Sequence, residues 1–290
     1  MGVPGPGVMA ARASSVDLGL FGPDSLAWRV HREPAMLVGG LRALMVQALH
    51  PLAIAAIVDH SDYKNDVWGR YARTSNYVVT TIFGTTRQAQ ALGARVREIH
   101  RPMRGVDRVT GLPYAADDPV LLLWIHTTLV ESFLAAYRRF VGPLSRDEAD
   151  HYIQELVRQA ELVGLEPRRV PATERGNREF IESCRPMLRV TDAAREALHT
   201  VLHPPLPPWR RPVWWVASQA AISIMPDYAL GLYGMRRSPA AEALVRPVVS
   251  SGSELARRFL RPPPVIREAR RRASAAGADP MPTSRARRPR

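Results

Sequence analysis

A histidine on the apolar side of a predicted helix is the residue of this sequence best suited to hold an iron cofactor. Residues 86–104 have helical periodicity, and the apolar stripe consists of Leu92, Val96, Ile99 and Met103. His100 lies beside this stripe, so its ring is expected to face the protein interior. A neutral imidazole nitrogen in such a position can ligate iron, although a hydrogen-bonded core histidine fits the same pattern.

Two arginines and two hydroxyl side chains are predicted on one face of the preceding helix. They are Arg70, Arg73, Thr74 and Tyr77, spaced at i, i+3, i+4 and i+7. Guanidinium groups that share a face need an anion, a propionate, a bound oxygen species or solvent as partner. The pattern therefore indicates either a lined pocket or a solvated face with an arginine–carboxylate pair.

Other candidate patterns are weaker. His50 and His60 bracket an apolar run, but their spacing differs from the three- or four-residue step of helical zinc ligands. We interpret them as capping or packing residues, with a metal pair as the alternative. The sequence has no nucleophile elbow, phosphate-binding glycine loop or His-Glu-x-x-His motif. Cys184 is the single cysteine, which excludes a disulfide framework and a covalent haem-attachment motif.

The elements that would position these residues are helical. Helices fit residues 35–59, 66–83, 86–104 and 119–141, and further starts are marked at Asp118-Pro119, Ser145, Thr191 and Ser238-Pro239. No run of alternating residues predicts a sheet. We expect an all-α protein with a loose arm at 1–24, one helical domain at 25–262 and a disordered tail at 263–290.

The helix at 119–141 is apolar nearly all round, which predicts a place at the centre of the fold. His126 and Glu131 lie on it and would need buried partners. The stretch Val38–Val58 is long enough to cross a bilayer but contains Arg42 and His50, so we interpret it as a buried helix or helix pair.

The net charge of +13 invites a nucleic-acid or membrane interpretation. Eleven arginines and only two acidic residues lie between Leu255 and Arg290, so most of the excess belongs to the tail. Such a tail supports weak contact with an anionic surface but no sequence readout. With no signal peptide or transmembrane helix in the sequence, we expect a cytoplasmic protein, with peripheral membrane contact as an alternative.

Several motifs, in order, resemble the mpaB/rubber oxygenase catalytic-domain family. They are the stretch Ser25–Pro34, Gln47-Ala-Leu-His-Pro51, Asp59-His-Ser61, Trp68-Gly-Arg-Tyr-Ala-Arg-Thr74, Arg95–His100, Leu122–His126 and Tyr137–Phe140. The resemblance runs from about residue 25 to 260 and implies a helical fold around a non-covalent haem b. Its latex-clearing members are dioxygenases that cleave carbon–carbon double bonds in polyisoprene, and its fungal members cleave a prenyl chain oxidatively.

The resemblance also implies roles for individual residues. The axial histidine of the latex-clearing enzymes lies in a Val-Arg-x-x-His run, matched by Val96–His100, and their distal Arg-x-x-Lys-Thr motif is matched by Arg70–Thr74. Arg73 replaces the lysine, and a guanidinium cannot lose its proton to coordinate iron. His100 is thus the expected metal ligand, with His126 and Arg104 as further cofactor-binding residues.

The sequence therefore predicts a haem b oxygenase that uses dioxygen, an electron donor and a hydrophobic substrate, with a prenyl or terpenoid compound as one candidate. Arg70, Arg73 and Thr74 are the expected catalytic residues around dioxygen. A second ligand from His126 would instead give an electron-transfer or sensor protein. A non-catalytic helical scaffold whose basic tail binds membrane or nucleic acid is the alternative from another class.

Overall fold

The computed structural model describes residues 16–62 and 65–278. Within these ranges all regular secondary structure is helical apart from one short hairpin, which confirms the predicted all-α fold class. The helices are α1 (Leu26–His31), α2 (Met36–Gln47), α3 (Pro51–His60), α4 (Val67–Phe83), α5 (Thr86–His100), α6 (Pro119–Phe140), α7 (Arg146–Leu162), α8 (Glu174–Cys184), α9 (Asp192–Leu202), α10 (Arg211–Ser223), α11 (Asp227–Tyr233), α12 (Pro239–Phe259) and α13 (Pro264–Ala275). The strands are β1 (Arg104–Val106) and β2 (Pro113–Ala115).

Side-chain caps fix the helix starts, as the sequence predicts. The Asp118 carboxylate accepts hydrogen bonds from the backbone N–H groups of Val120 and Leu121, with Pro119 in the first turn of α6. Ser145 and Glu148 form the predicted capping box of α7. Each cap satisfies backbone donors that the helix itself leaves unpaired, and it therefore sets where the helix begins.

The apolar helix α6 lies at the centre of the fold, as predicted. It packs most extensively on α2, and Trp124 within it is fully buried. Gly39 of α2 makes this crossing close, because a Cβ there would lie 2.8 Å from Cδ1 of Phe133. α6 alone among the described helices is long and apolar enough to span a membrane, and most of it is buried among its neighbours. Here it serves as a core helix.

An ion pair between the buried Arg42 and the partly exposed Glu131 joins α2 to α6, and it gives Glu131 the partner that the sequence analysis requires. Arg42 is only 2% exposed, and its guanidinium lies 3.1 Å from the Glu131 carboxylate. The same group donates to Ser132 Oγ at 2.6 Å and to the carbonyl oxygen of Ile224 at 2.7 Å. Removing one partner of such a network would leave a buried charge unpaired.

The apolar stretch Val38–Val58 forms a helix pair, one of the two predicted arrangements. α2 ends at Gln47, and α3 leaves it at an angle of 101° with Pro51 in its first turn. His50 occupies the N-cap position of α3, but its side chain makes no capping hydrogen bond. The bend therefore places the His50 ring inside the protein, where it is 4% exposed.

The hairpin corrects two predictions. The helix expected at 86–104 ends at His100, and β1 then pairs antiparallel with β2, Arg104 opposite Ala115. The pattern search missed these strands because each is three residues long, too short to show alternation. Gly105 permits the pairing, since a Cβ there would lie 2.4 Å from the Tyr114 hydroxyl oxygen.

The two predicted ends of the domain also need correction. The predicted disorder from residue 263 is wrong for α13, because Ile266, Ala269 and Ala273 form a buried stripe on this helix, which packs against α4. At the other end, Asp17 lies within the predicted loose arm but accepts hydrogen bonds from Thr86 at the start of α5. Residues 1–15 and 279–290 of the predicted arm and tail lie outside the described residues.

Candidate functional site

His100 ends α5 with an unsatisfied ring nitrogen. Its Nδ1 is buried and has no hydrogen-bond partner among the described residues. Burial lowers the pKa of His100 and the nearby Arg70 adds to the effect, while Asp117 opposes it. The imidazole is therefore neutral at neutral pH. A neutral ring has one nitrogen with a lone pair that can bind a metal ion.

The charge of Arg70 acts on His100 because α4 and α5 form a helical hairpin. Only Gly84 and Thr85 separate the two helices, so the start of α4 lies beside the end of α5. The Arg70 guanidinium donates to Ser61 Oγ at 2.8 Å and is half-buried. Of the predicted catalytic residues, Arg70 is the one whose charge acts on the His100 ring.

Asp117 completes this group and was not among the predicted site residues. Its carboxylate lies 2.9 Å from the Arg104 guanidinium and also acts electrostatically on His100. The sequence carries one signal for it, because the cap of α6 needs only Asp118 and leaves the preceding aspartate without a local role. We call Arg70, His100, Arg104 and Asp117 the His100 cluster.

Two predicted catalytic residues lie apart from the His100 cluster. The Arg73 side chain is 65% exposed, and its guanidinium lies 2.9 Å from the Asp66 carboxylate. Thr74 is exposed as well. Tyr77, predicted on the same face, is half-buried and donates to the carbonyl oxygen of Gln159 at 3.3 Å. Arg73 and Thr74 thus face solvent, Tyr77 contacts α7, and Arg70 belongs to the His100 cluster. Of the two predicted alternatives, the solvated face with an arginine–carboxylate pair is correct for Arg73.

Two further buried histidines have free ring nitrogens. His126 Nε2 and His50 Nδ1 are both buried without a partner in the described part of the chain. Burial lowers the pKa of each ring to about 4. The His50 ring lies 5.8 Å from that of Trp124, on the N-terminal half of α6. His50 was predicted to be structural, yet like His100 and His126 it has a buried ring nitrogen without a partner.

His60 packs as predicted. Its Nε2 lies 3.2 Å from the carbonyl oxygen of Arg104 and 3.2 Å from the Tyr114 hydroxyl, which in turn donates to Asp59 at 2.5 Å. These bonds hold the end of α3 against the hairpin. The described residues contain no group of three or more His, Cys, Asp or Glu arranged to hold a metal ion. A haem needs no such group, because the porphyrin supplies most of the ligands.

Two cavities lie away from the His100 cluster. One of about 310 Å³ is lined by residues of α11 and by Arg185, whose guanidinium stacks 5.0 Å from the Tyr228 ring centroid. The other, of about 380 Å³, is lined by charged side chains that include the paired Arg138 and Glu174. Neither touches a residue of the His100 cluster.

Comparison with known proteins gives one match. The model of the family described as "ER-bound oxygenase mpaB/B'/Rubber oxygenase, catalytic domain" matches residues 28–261. This range contains the whole His100 cluster and the helices that position it. No curated protein and no solved structure matches the chain significantly.

Proposed function

Since the chain belongs to the mpaB/rubber oxygenase catalytic-domain family, we propose that it is a haem b-dependent oxygenase for a hydrophobic substrate of prenyl or terpenoid type. Family membership supports the oxygenase class. The observation that carries the haem part is the buried, unpartnered Nδ1 of His100. An orphaned buried nitrogen costs about 1–3 kcal/mol, so a bound group that accepts its lone pair would recover that cost.

The side chains around His100 suit a haem. His100 would hold the haem iron, because burial keeps its imidazole neutral. Arg104 and Arg70 offer cationic groups that could pair with the propionates. When bound, the haem supplies the activation of dioxygen.

The charged residues around His100 would then have different roles. Asp117 holds Arg104 at 2.9 Å and favours charge on the His100 ring, which opposes the effect of burial. Arg70 is fixed by Ser61 and brings a permanent positive charge to the same place. A preorganised cation of this kind stabilises negative charge that develops during oxygen chemistry. Arg73 and Thr74 enter the proposal only as neighbours of Arg70 on α4.

A haem-binding assay tests this proposal. The full chain, reconstituted with haem, should show a Soret band and stoichiometric haem. His100→Ala should fold but lose most of the haem, whereas His199→Ala, which removes an exposed histidine of α9, should retain it. Full haem occupancy in His100→Ala would show that another residue is the ligand. Oxygen uptake with a panel of terpenoids then tests the activity separately.

His126 supports a second candidate function. Its buried, unpartnered Nε2 would hold the iron together with His100, which would give an electron-transfer or sensor protein. The haem spectrum separates the two functions. A low-spin spectrum that becomes high-spin in His126→Ala favours the second function, and an unchanged spectrum favours the oxygenase.

A further inference from the structure

The outward side of α12 carries a row of large apolar side chains. Leu244, Val248, Leu255 and Phe259 are 51%, 44%, 55% and 74% exposed. Because a helix turns by about 100° per residue, these four positions fall within roughly 60° of one another around the helix axis. Single exposed apolar residues are ordinary on protein surfaces, but a row of four along one helix indicates an interaction surface. We call this row the α12 face.

The other side of α12 holds the helix firmly on the domain. Ser253 is buried there, and Glu242 pairs with Arg139 of α6 at 2.5 Å. Towards the end of the helix, the Arg257 guanidinium lies 2.6 Å from the buried carboxylate of Glu33. These contacts fix the orientation of α12, and the α12 face therefore points away from the domain.

Gly252, in the middle of the α12 face, has no packing role within the described part of the chain. A Cβ at this position would meet no atom within 4 Å, whereas a Cβ at Gly39 would clash with Phe133. Glycine is, after proline, the least favourable residue inside a helix. An exposed glycine in a helix interior is therefore explained best by a second backbone that approaches closely at this point.

The residues of the α12 face have the same order in both directions along the helix. Counted outward from the Ser251–Gly252 bond, Val248 and Leu255 each stand in fourth place, and Leu244 and Phe259 each stand in eighth place. Two such helices can pair antiparallel about a two-fold axis at this bond. Val248 of each copy then faces Leu255 of the other, and the small residues meet at the crossing, where the helices are closest.

The charged residues beside the α12 face allow the same pairing. A two-fold axis brings the same flank of both helices together, so Arg258 lies beside Ala243 and Pro247 of the second copy rather than beside another arginine. Glu254 is already paired with Arg257 of its own helix. Like charges are thus kept apart across the two α12 helices.

The exposed area suits a weak dimer. The α12 face and Leu260, which is 68% exposed just beyond the helix, together offer roughly 500 Å² of apolar surface in each copy. Pairing would bury about 1,000 Å² in total, which lies near the lower limit of specific interfaces. A reversible dimer is therefore expected rather than a permanent one.

From the exposed row, its symmetry and the glycine at its centre, we infer that two copies of this chain pair antiparallel through α12, with the two-fold axis at the Ser251–Gly252 bond. The inference is independent of the proposed function and needs no haem. α12 is bonded to the last turn of α6 through Arg139, whereas Asp117 of the His100 cluster precedes the first turn. The dimer therefore leaves the His100 cluster uncovered.

Sedimentation velocity of the full chain tests the pairing between about 1 and 100 µM, the range in which a weak interface associates. The parent should form a dimer as its concentration rises. Gly252→Leu should fold, because the space around Gly252 is open, but should weaken the dimer at least about tenfold by forcing the helices apart. An added leucine would instead strengthen association through a surface that is merely adhesive.

A matched pair of valine variants shows where the contact lies. Val248→Ser should also weaken the dimer at least about tenfold, since two apolar side chains are lost from each interface. Val120→Ser replaces a valine that is 54% exposed at the opposite end of α6. This control should associate like the parent.

Cysteine cross-linking tests the direction of the pair. A disulfide needs Cα atoms within about 7 Å of each other. In the antiparallel pair, position 248 of one copy meets position 255 of the other, while two copies of position 248 lie about 10 Å apart along the helix axis. An equal mixture of Val248→Cys and Leu255→Cys should therefore give a disulfide-linked heterodimer on mild oxidation, identified by mass, and neither variant alone should cross-link. Cys184 is buried and should stay unreacted.

Several outcomes would overturn the inference. A parent that is monomeric at every concentration has no such dimer, and binding of that monomer to phosphatidylcholine vesicles would assign the α12 face to lipid. Stronger association in Gly252→Leu, or equal loss in Val120→Ser and Val248→Ser, would exclude a close crossing at Gly252. Cross-linking of Val248→Cys alone would exclude the antiparallel arrangement.

Discussion

The Arg104 guanidinium lies 2.9 Å from the Asp117 carboxylate and ties the hairpin to the start of α6 beside His100. Both side chains are substantially exposed, at 56% and 37%, so their ion pair contributes little to stability. The ion pair matters because it fixes a position: it holds β1 of the hairpin against the segment that leads into α6.

Arg104→Gln should separate haem retention from stability. We expect the free energy of unfolding to fall by less than about 1 kcal/mol, as for other exposed ion pairs. Haem should dissociate faster, because one cation proposed to pair with a propionate is lost. Haem transfer to an acceptor globin and urea denaturation measure the two effects. Arg95→Gln breaks the comparably exposed Arg95–Glu98 pair on α5 and should change neither quantity.

Arg70 and Arg73 should differ sharply in their effect on turnover. The charge of Arg70 acts on His100, whereas the Arg73 guanidinium pairs with the Asp66 carboxylate and is largely exposed to solvent. We expect Arg70→Gln to retain haem but lose about a hundredfold in oxygen turnover, equivalent to about 3 kcal/mol of charge stabilisation. Arg73→Gln should lose less than about threefold by the same measure. Equal losses in the two variants would mean that the whole α4 face lines the reaction site.

Two adjacent glycines of α2 should respond in opposite directions to alanine. Gly39→Ala places a Cβ 2.8 Å from Phe133 and 3.1 Å from the carbonyl oxygen of Ser132, and it should destabilise the fold by about 1–3 kcal/mol. Gly40→Ala meets no atom within 4 Å and should stabilise the helix by up to about 1 kcal/mol. Chemical denaturation measures both. Destabilisation by Gly40→Ala would show that the α2–α6 crossing is tighter than described.

His31 should make the fold sensitive to acid. Burial lowers the pKa of His31 to about 3, against about 6.5 for an unfolded histidine. Between these values the unfolded chain binds a proton that the folded chain does not. The stabilising contribution of neutral His31 is therefore complete above about pH 6.5 and is lost as pH falls, by up to about 1.4 kcal/mol per pH unit.

The variant that tests this is His31→Gln, because an amide can keep a hydrogen bond to the Tyr152 hydroxyl, which lies 2.9 Å from His31 Nε2. Urea midpoints between pH 7.5 and 5 should depend less on pH in this variant than in the parent. His199→Gln replaces an exposed histidine and should leave the slope unchanged. A slope in His31→Gln equal to that of the parent would mean that other groups control acid stability.

The sequence predicted those parts of the fold that depend on interactions between residues close together in the chain. The caps at Asp118 and Ser145 and the apolar circumference of α6 act within a few residues, so the sequence alone located them. α13 was missed because its buried stripe is mostly alanine, and only the facing surface of α4 makes that stripe a packing element. In the site, helical spacing grouped Arg70 with Arg73, but Arg73 pairs with Asp66 seven residues before it, whereas the charge of Arg70 acts on His100 of the next helix.

Residues near the two ends of the described chain meet on the α4–α5 helical hairpin. Arg272 of α13 donates to the carbonyl oxygens of Asp17 and Phe83, at 3.1 and 2.6 Å, while Asp17 caps α5. During synthesis on the ribosome, the helices that carry His100 and Arg70 emerge in the first half of the chain. They acquire this last support only after α13 leaves the exit tunnel. Until then the surface of α4 on which α13 packs is open to solvent.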